Sequence, residues 1–192
     1  MGKREEDPRY DRTEADLQEA FQILARKKDL DKITVSEITR LTGVTRSTFY
    51  NHYEDMPSLI DAMENRILDE IFTMMKSFHP EGSGEISRKF FESLCSYIAQ
   101  NGYLVHILAS PQAASFIEKA LSMFHSYVAI TMEGTGRPEA QQHALSYAVS
   151  YSIGGVVGIL HKWALSSCLE NPGTVASYLT ALFLDGMRPF LF

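Results

Sequence analysis

The chain has 192 residues, 45% of them hydrophobic and 22% charged, with a formal net charge of −6 at pH 7. This length can bury a substantial core, either as one domain or as a small head on a larger body. The acidic balance excludes the overall basic surface that marks many nucleic-acid binders, although neutral hydroxyls and backbone amides also contact phosphates.

The N-terminal residues 1–12 mix Lys and Arg with acids and Pro8. This composition is typical of a disordered tail, and the alternative is an arm whose cations contact phosphates or a minor groove. No signal peptide is recognised, and the longest apolar run, 147–160, is too short to span a membrane. Cys95 and Cys168 lie far apart without a paired motif, which favours free buried thiols. We therefore expect a cytoplasmic protein with no membrane partner.

Three short helices are predicted at the start of the chain. Helical periodicity covers residues 13–26, with Thr13 as its cap. Thr34 to Glu37 has the form of a capping box, and Gly43 suits the end of that second helix. Thr45 can cap a third helix over residues 46–53. Their apolar residues are expected to form the core of a small head: Leu17, Phe21, Leu24, Ile38, Leu41, Val44, Phe49 and Tyr53.

The third helix has two different faces. Phe49 and Tyr53 share an apolar face, while Ser47 and Asn51 lie on the opposite, polar face. Short polar side chains on such a helix can reach base edges in a major groove, and hydroxyls and ring nitrogens can reach phosphates. The helix, glycine turn and helix have the spacing of a helix-turn-helix motif.

The segment G-V-T-R-S-T-F-Y-N-H-Y-E-D-M-P-S-L, residues 43–59, resembles the recognition segment of the TetR family of transcriptional regulators. Its Tyr-Asn-His-Tyr run, residues 50–53, matches that family's Tyr-x-His-aromatic signature. The resemblance covers about the first third of the chain. It implies an all-α fold of about nine helices, with a helix-turn-helix DNA-binding domain over 1–55 and an effector-binding and dimerisation domain over 56–192. TetR-like proteins often have a phosphate-binding Lys near Met56, and here Met56-Pro57 stands instead.

Nine residues are expected to contact double-stranded DNA. We predict contacts to base edges from Arg46, Ser47 and Asn51, with support from Ser36 and Thr45. Contacts to phosphates are predicted from Thr34, Thr48, Tyr50 and His52.

The rest of the chain reads as helix. Asp55 can cap a helix from Met56 to about Phe78. Further helices are predicted over residues 85–100, 103–108, 110–132, 139–167 and 172–190, with loops at 79–84 and 134–138. No segment alternates like a strand, and no internal repeat is found.

Three glycines stand in the middle of the helix over 139–167, where each costs about 1 kcal/mol relative to Ala. A close helix–helix contact across a dimer axis would offset that cost; a kink or tight packing within one chain are the alternatives. TetR-like proteins dimerise through their last two helices, so the resemblance implies a homodimer. The residues assigned to this interface are Gly154, Gly155, Gly158 and Trp163.

The helical body also carries candidates for an effector pocket: Phe91, Tyr97, His106, Phe116, Phe124, Tyr127, Tyr147 and Tyr151. Plain core packing is the alternative for each of them. The resemblance implies the pocket, and a small, mainly apolar or neutral aromatic effector is favoured. Residues 154–165 also resemble a TetR-like subgroup that includes regulators of dihydroxyacetone kinase. Because of this resemblance, a protein effector is the alternative to a small molecule.

An enzyme is the competing class. No pair of histidines has the spacing of a helical zinc site, and the sequence lacks G-x-S-x-G and phosphate-cradling glycine loops. We therefore expect no enzymatic activity, no metal and no cofactor. The favoured function is a repressor that binds a near-palindromic operator as a homodimer and is released by an effector. The alternative is a helical interaction protein or coactivator-type regulator with a protein effector.

Overall fold

The computed structural model describes residues 8–77, 84–110, 113–132 and 139–191, and the regular secondary structure within these ranges is helical. Residues 1–7 and most of the predicted loops at 79–84 and 134–138 lie outside the described part. Nine α-helices occur in the described ranges: α1 (Pro8–Ala25), α2 (Val35–Thr42), α3 (Arg46–His52), α4 (Met56–Ser77), α5 (Gly84–Gln100), α6 (Gly102–Ala109), α7 (Ala113–Met132), α8 (Glu139–Leu165) and α9 (Pro172–Leu191). A single 3₁₀ turn, Leu30–Lys32, precedes α2. The predicted all-α class is confirmed.

Helix α1 begins at Pro8, five residues before the predicted start at Thr13. The Thr13 hydroxyl is not a cap, because it donates to the backbone carbonyl of Arg9 over 2.8 Å. Proline is favoured in the first turn of a helix, and Asp11 adds an acidic side chain in that turn. The prediction of a disordered tail is therefore wrong for residues 8–12, and residues 1–7 lie outside the described part.

The core of the head is close to the one predicted. Leu17, Phe21, Ile38, Phe49 and Tyr53 are buried. Leu24 and Val44 are half-buried, and Leu41 has half of its surface (50%) exposed. Ile38 and Thr39 form the buried side of α2. Leu41 lies about 60° around the helix axis from Ile38, on the side away from Thr39, and is therefore turned toward solvent.

The chain divides into two compact units, one ending at Ile67 and the other beginning at Leu68. The division falls within α4, so the first turns of this helix belong to the head unit. Asp55 caps α4 as predicted: its carboxylate accepts from the Ser58 backbone N–H over 2.8 Å and from the Ser58 hydroxyl over 2.7 Å. These bonds lower the pKa of Asp55.

In the second unit α5 packs against α9, and α8 packs against α6, α7 and α9. The His161 ring nitrogen Nδ1 lies 2.6 Å from the carbonyl oxygen of Leu108 and links α8 to the end of α6. Helix α8 ends two residues before the prediction, because Ser167 and Cys168 both have φ of +55°. Cys168 and the buried Cys95 are both free thiols, and burial raises the pKa of Cys95 to about 12.

Candidate nucleic-acid interface

Local capping bonds fix the two helices of the helix-turn-helix segment. The Glu37 carboxylate accepts from the Thr34 backbone N–H over 3.0 Å and from the Thr34 hydroxyl over 2.8 Å, which closes the start of α2. Gly43 ends α2 with φ of +75°, in the left-handed region that favours glycine. The Thr45 hydroxyl then accepts from the Thr48 backbone N–H over 3.1 Å and starts α3. All three caps were predicted from the sequence.

The nine predicted DNA-binding residues lie on α2, α3 and their caps. Seven of them have exposed side chains: Thr34, Ser36, Thr45, Arg46, Ser47, Tyr50 and Asn51. Thr48 and His52 are half-buried. Since Phe49 is fully buried on the opposite side of α3, the polar face of this helix is the one turned to solvent.

Side-chain contacts within this face hold some of its members in place. The guanidinium of Arg46 donates to the Ser36 hydroxyl, which ties the start of α3 to α2. The hydroxyls of Thr45 and Thr48 lie 2.9 Å apart. Arg46, a predicted contact to base edges, is therefore hydrogen-bonded to Ser36, which was predicted to support it.

A chain of polar side chains runs beneath α3. The buried Tyr53 hydroxyl donates to the Glu14 carboxylate over 3.0 Å and accepts from the Gln18 amide over 2.9 Å. The guanidinium of Arg66 on α4 donates to the amide oxygen Oε1 of Gln18 over 3.0 Å. Burial raises the pKa of Tyr53, so the phenol stays protonated. The sequence predicted that Tyr53 lies in the core. It did not predict the hydrogen bonds of the Tyr53 hydroxyl, because the partners lie on another helix.

His52 has surroundings that the sequence did not predict. Its ring stacks on Tyr10 of α1, with centroids 3.8 Å apart and an interplanar angle of 27°. Its Nδ1 is buried and has no hydrogen-bond partner among the described residues. Burial lowers the pKa of His52, although the nearby charge of Glu14 acts in the opposite direction. The ring is therefore mainly neutral at pH 7.

The capping carboxylate of α2 predicts a pH dependence of stability. The Lys28 ammonium, 2.6 Å away, and the two Thr34 donors lower the pKa of Glu37 from 4.5 to about 2. Since the folded pKa is the lower one, the stabilisation is fully present above the unfolded pKa and is lost as the pH falls toward the folded value.

We therefore expect Glu37→Gln to lower the free energy of unfolding at pH 7 and to approach the wild type between pH 4.5 and about 2. Urea unfolding across this range measures the difference. Lys28→Gln is the matched control, because it removes the cation and leaves the capping carboxylate. If the difference in free energy of unfolding between the wild type and Glu37→Gln did not change with pH, the lowered pKa of Glu37 would be contradicted.

The predicted pocket residues occupy different environments. Phe91 and Phe116 are buried; Phe91 packs edge-on against Phe183 of α9 at 5.6 Å. Phe124 packs against Ala148, Val149 and Ile153 of α8. Tyr97 and His106 are half-buried, and the Tyr97 hydroxyl donates to Glu70 over 2.7 Å. The Tyr127 side chain lies outside the described part.

Tyr147 and Tyr151 do not line the interior of the chain. They are 78% and 80% exposed, so the structure places them on the outer face of α8. Their prediction as pocket residues is wrong within a single chain, because α8 is apolar around much of its circumference and its sequence pattern does not select the inward face.

The predicted dimer residues also separate into two groups. Gly154, Gly155 and Gly158 are exposed, and a Cβ added at any of them would meet nothing within 4 Å. Trp163 is only 3% exposed, and its indole N–H donates to the Glu170 carbonyl over 3.0 Å. The structure thus corrects Trp163, which is a core residue of its own chain. No described residue of the same chain packs tightly against the three glycines.

The described residues contain no group of three or more His, Cys, Asp or Glu side chains that could hold a metal ion. Among the same residues, no helix is long and apolar enough to cross a membrane.

The architecture and the exposed polar face of α3 define a helix-turn-helix protein. No family model matches the chain. It is 34% identical over 135 residues to YxbF, an uncharacterized HTH-type transcriptional regulator of Bacillus subtilis (strain 168), and the match takes in 65% of this chain and 35% of that protein. The chain thus spans about a third of the length of the curated relative it matches.

Several solved structures share the fold. The dihydroxyacetone kinase operon activator DhaS has a TM-score of 0.65 at 16% identity, covering 93% of this chain and 97% of its own. The fatty acid degradation regulator FadR of Bacillus halodurans has a TM-score of 0.66 at 15% identity, covering 96% and 99%. The TetR family repressor AlkX of Dietzia sp. strain DQ12-45-1b has a TM-score of 0.60 at 17% identity, covering 98% of both chains.

The chain therefore has the fold of the TetR-family transcriptional regulators, and the fold that the sequence resemblance implied is confirmed. The proteins it is similar to are transcriptional regulators and not enzymes.

Proposed function

We propose that the protein is a DNA-binding transcriptional regulator that reads an operator with α3. The observation that carries this proposal is the exposed polar face of α3, held on a head whose glycine turn and caps have helix-turn-helix geometry. Arg46, Ser47 and Asn51 are the proposed contacts to base edges. The one acidic side chain of α2 and α3, Glu37, is paired with Lys28 and adds no free negative charge to this surface.

The active form is proposed to be a homodimer joined through α8 and α9. Tyr147, Tyr151, the adjacent pair Gly154 and Gly155, and Gly158 follow one another at helical spacing and form one exposed face of α8. Tyr178 and Leu182 give α9 an exposed apolar face of its own. Glycines in an exposed helix are costly unless another backbone packs against them, which supports a second copy as the partner. Two heads would then read the half-sites of a near-palindrome.

Binding of an effector in the second unit is proposed to control the operator affinity. The buried aromatic side chains of α5 and α7, with half-buried His106, favour an apolar or neutral aromatic small molecule. FadR is a fatty acid degradation regulator and AlkX is implicated in the biodegradation of n-alkanes, which fits this chemistry. We propose that the protein represses transcription and that binding of the effector relieves this repression. DhaS is an operon activator. The second candidate function is therefore a transcriptional activator whose effector is a protein.

Selection of duplexes from a random DNA pool, with purified protein at moderate salt, tests the proposal. The expected result is a near-palindrome whose half-sites lie about 34–36 Å apart. Absence of any enriched sequence, with a folded dimer confirmed by sedimentation, would overturn DNA reading and leave a helical interaction protein as the function.

Replacing Arg46 by Ala is expected to relax the preference at one base pair of each half-site. A bidentate contact between Arg and guanine discriminates by roughly 1–3 kcal/mol. Selection repeated with the variant measures this change. Tyr50→Phe is the control, because loss of a phosphate contact weakens all sequences alike. An unchanged preference for the Arg46 variant would contradict its role.

A further inference from the structure

Tyr10, in the first turn of α1, contacts the last turn of α3. Its ring covers the imidazole of His52 at a centroid distance of 3.8 Å. Its hydroxyl donates to the backbone carbonyl of Asn51 over 3.5 Å. Tyr10 therefore touches both the side chain and the backbone at the end of the helix that carries the polar face.

The carbonyl contact is a long hydrogen bond at the end of α3. The last four carbonyl groups of a helix lack partners within it, and each needs another donor. Asn51 is the penultimate residue of α3, and the Tyr10 phenol supplies a donor to its carbonyl. The contact therefore adds to the stacking of Tyr10 on His52 at the same helix end.

The burial of one ring nitrogen, on a ring that Tyr10 covers, decides which tautomer His52 adopts. The neutral ring carries one N–H, on either Nδ1 or Nε2. A buried N–H without an acceptor costs more than a lone pair without a donor, and such orphaned donors are rare. Since Nδ1 is buried and has no hydrogen-bond partner among the described residues, the proton belongs on Nε2. That nitrogen is then a donor for a phosphate oxygen.

We propose that Tyr10 is a positioning residue for DNA binding, which holds the His52 ring in the orientation and tautomer that donate to a phosphate. The inference rests on the proposed function of α3 and deepens it, because it makes the first turn of α1 part of the phosphate-binding machinery. Tyr10 acts through His52 and needs no DNA contact of its own.

A double-mutant cycle on the selected duplex tests this coupling. Tyr10→Ala and His52→Ala are each expected to weaken binding roughly tenfold, on all sequences alike, because a hydrogen bond to a charged group is lost. The double variant is expected to bind as His52→Ala does, within about twofold. Tyr10→Phe keeps the stacked ring and is expected to retain most of the affinity. Additive losses in the double variant, or full affinity for Tyr10→Ala, would overturn the proposal.

The tautomer of His52 gives a second measurement that does not require DNA. Nitrogen-15 NMR of the free protein is expected to show the Nε2–H form in the wild type and a mixture of forms in Tyr10→Ala. An Nδ1–H form in the wild type would overturn the proposal. If the wild type selects no duplex, the proposed function fails, and the NMR result still decides whether Tyr10 controls His52.

Discussion

Replacing Gly155 by Glu is expected to give a folded monomer that binds the selected operator at least about a hundredfold more weakly than the wild type. The variant chain should fold, because Glu is a good helix former and a Cβ at this position meets nothing within 4 Å. In the proposed dimer the same carboxylate would be buried against a partner helix without a counter-ion, which is strongly unfavourable.

The predicted size of the loss comes from the two linked heads. Joining two binding modules raises the apparent affinity by roughly 10²–10⁴ without any new contact. A monomer retains one recognition helix and loses this gain. Sedimentation at graded concentrations measures the oligomeric state, and titration of the labelled duplex measures the affinity.

Two further variants make the experiment specific. Ser115→Glu introduces the same charge at an exposed position of α7 and is expected to leave the dimer intact. Gly155→Ala is expected to stabilise the isolated chain by about 1 kcal/mol while weakening the dimer. An Ala variant that raised the melting temperature without changing dimerisation would show that no backbone packs against this glycine.

Replacing Phe49 by Ala is expected to lower the free energy of unfolding of the head by about 3–5 kcal/mol, since the side chain is fully buried. The ring contacts Tyr50 edge-on at 5.5 Å and Tyr53 at 5.8 Å. Loss of the ring leaves a cavity under the recognition helix. A decrease of this size is a large part of the 5–15 kcal/mol that stabilises a typical domain.

Urea unfolding followed by two probes measures the effect. Trp163 is the single tryptophan and lies in the second unit, so its fluorescence reports that unit, while far-UV circular dichroism reports both. Leu41→Ala is the control, because the sequence placed Leu41 in the same core and the structure exposes half of it. Its expected cost is below about 1 kcal/mol. Equal losses for both variants would contradict the structure of the head.

The element boundaries that the sequence predicted well are those set by short-range chemistry. Asn101 caps α6 by accepting from the Leu104 N–H over 3.0 Å, and Asn171 accepts from the Gly173 N–H over 2.8 Å at the start of α9. In these cases the cap and its partner lie within three residues of each other. The glycine turn at Gly43 and the cap at Thr45 were predictable for the same reason.

Contacts between distant segments were not predictable. Helix α1 starts early, and Tyr10 in its first turn stacks on His52 of another helix. No pattern within residues 1–12 signals that contact. The faces of α8 were also undetermined, because apolar residues surround much of this helix. Tyr147 and Trp163 were therefore each assigned to the wrong side of it.

The chain of polar groups from Glu14 through Tyr53 and Gln18 to Arg66 has a consequence for how the recognition helix can open. These side chains come from α1, the end of α3 and α4. If α3 separated from the head, both hydrogen bonds of the Tyr53 hydroxyl would break together. The buried Gln18 amide would lose its acceptor, and the Glu14 carboxylate would lose its donor. Fraying of α3 by itself is therefore disfavoured, and the three helices share one opening event. Helix α3 is thus held on the head by side chains that are not among the proposed DNA contacts.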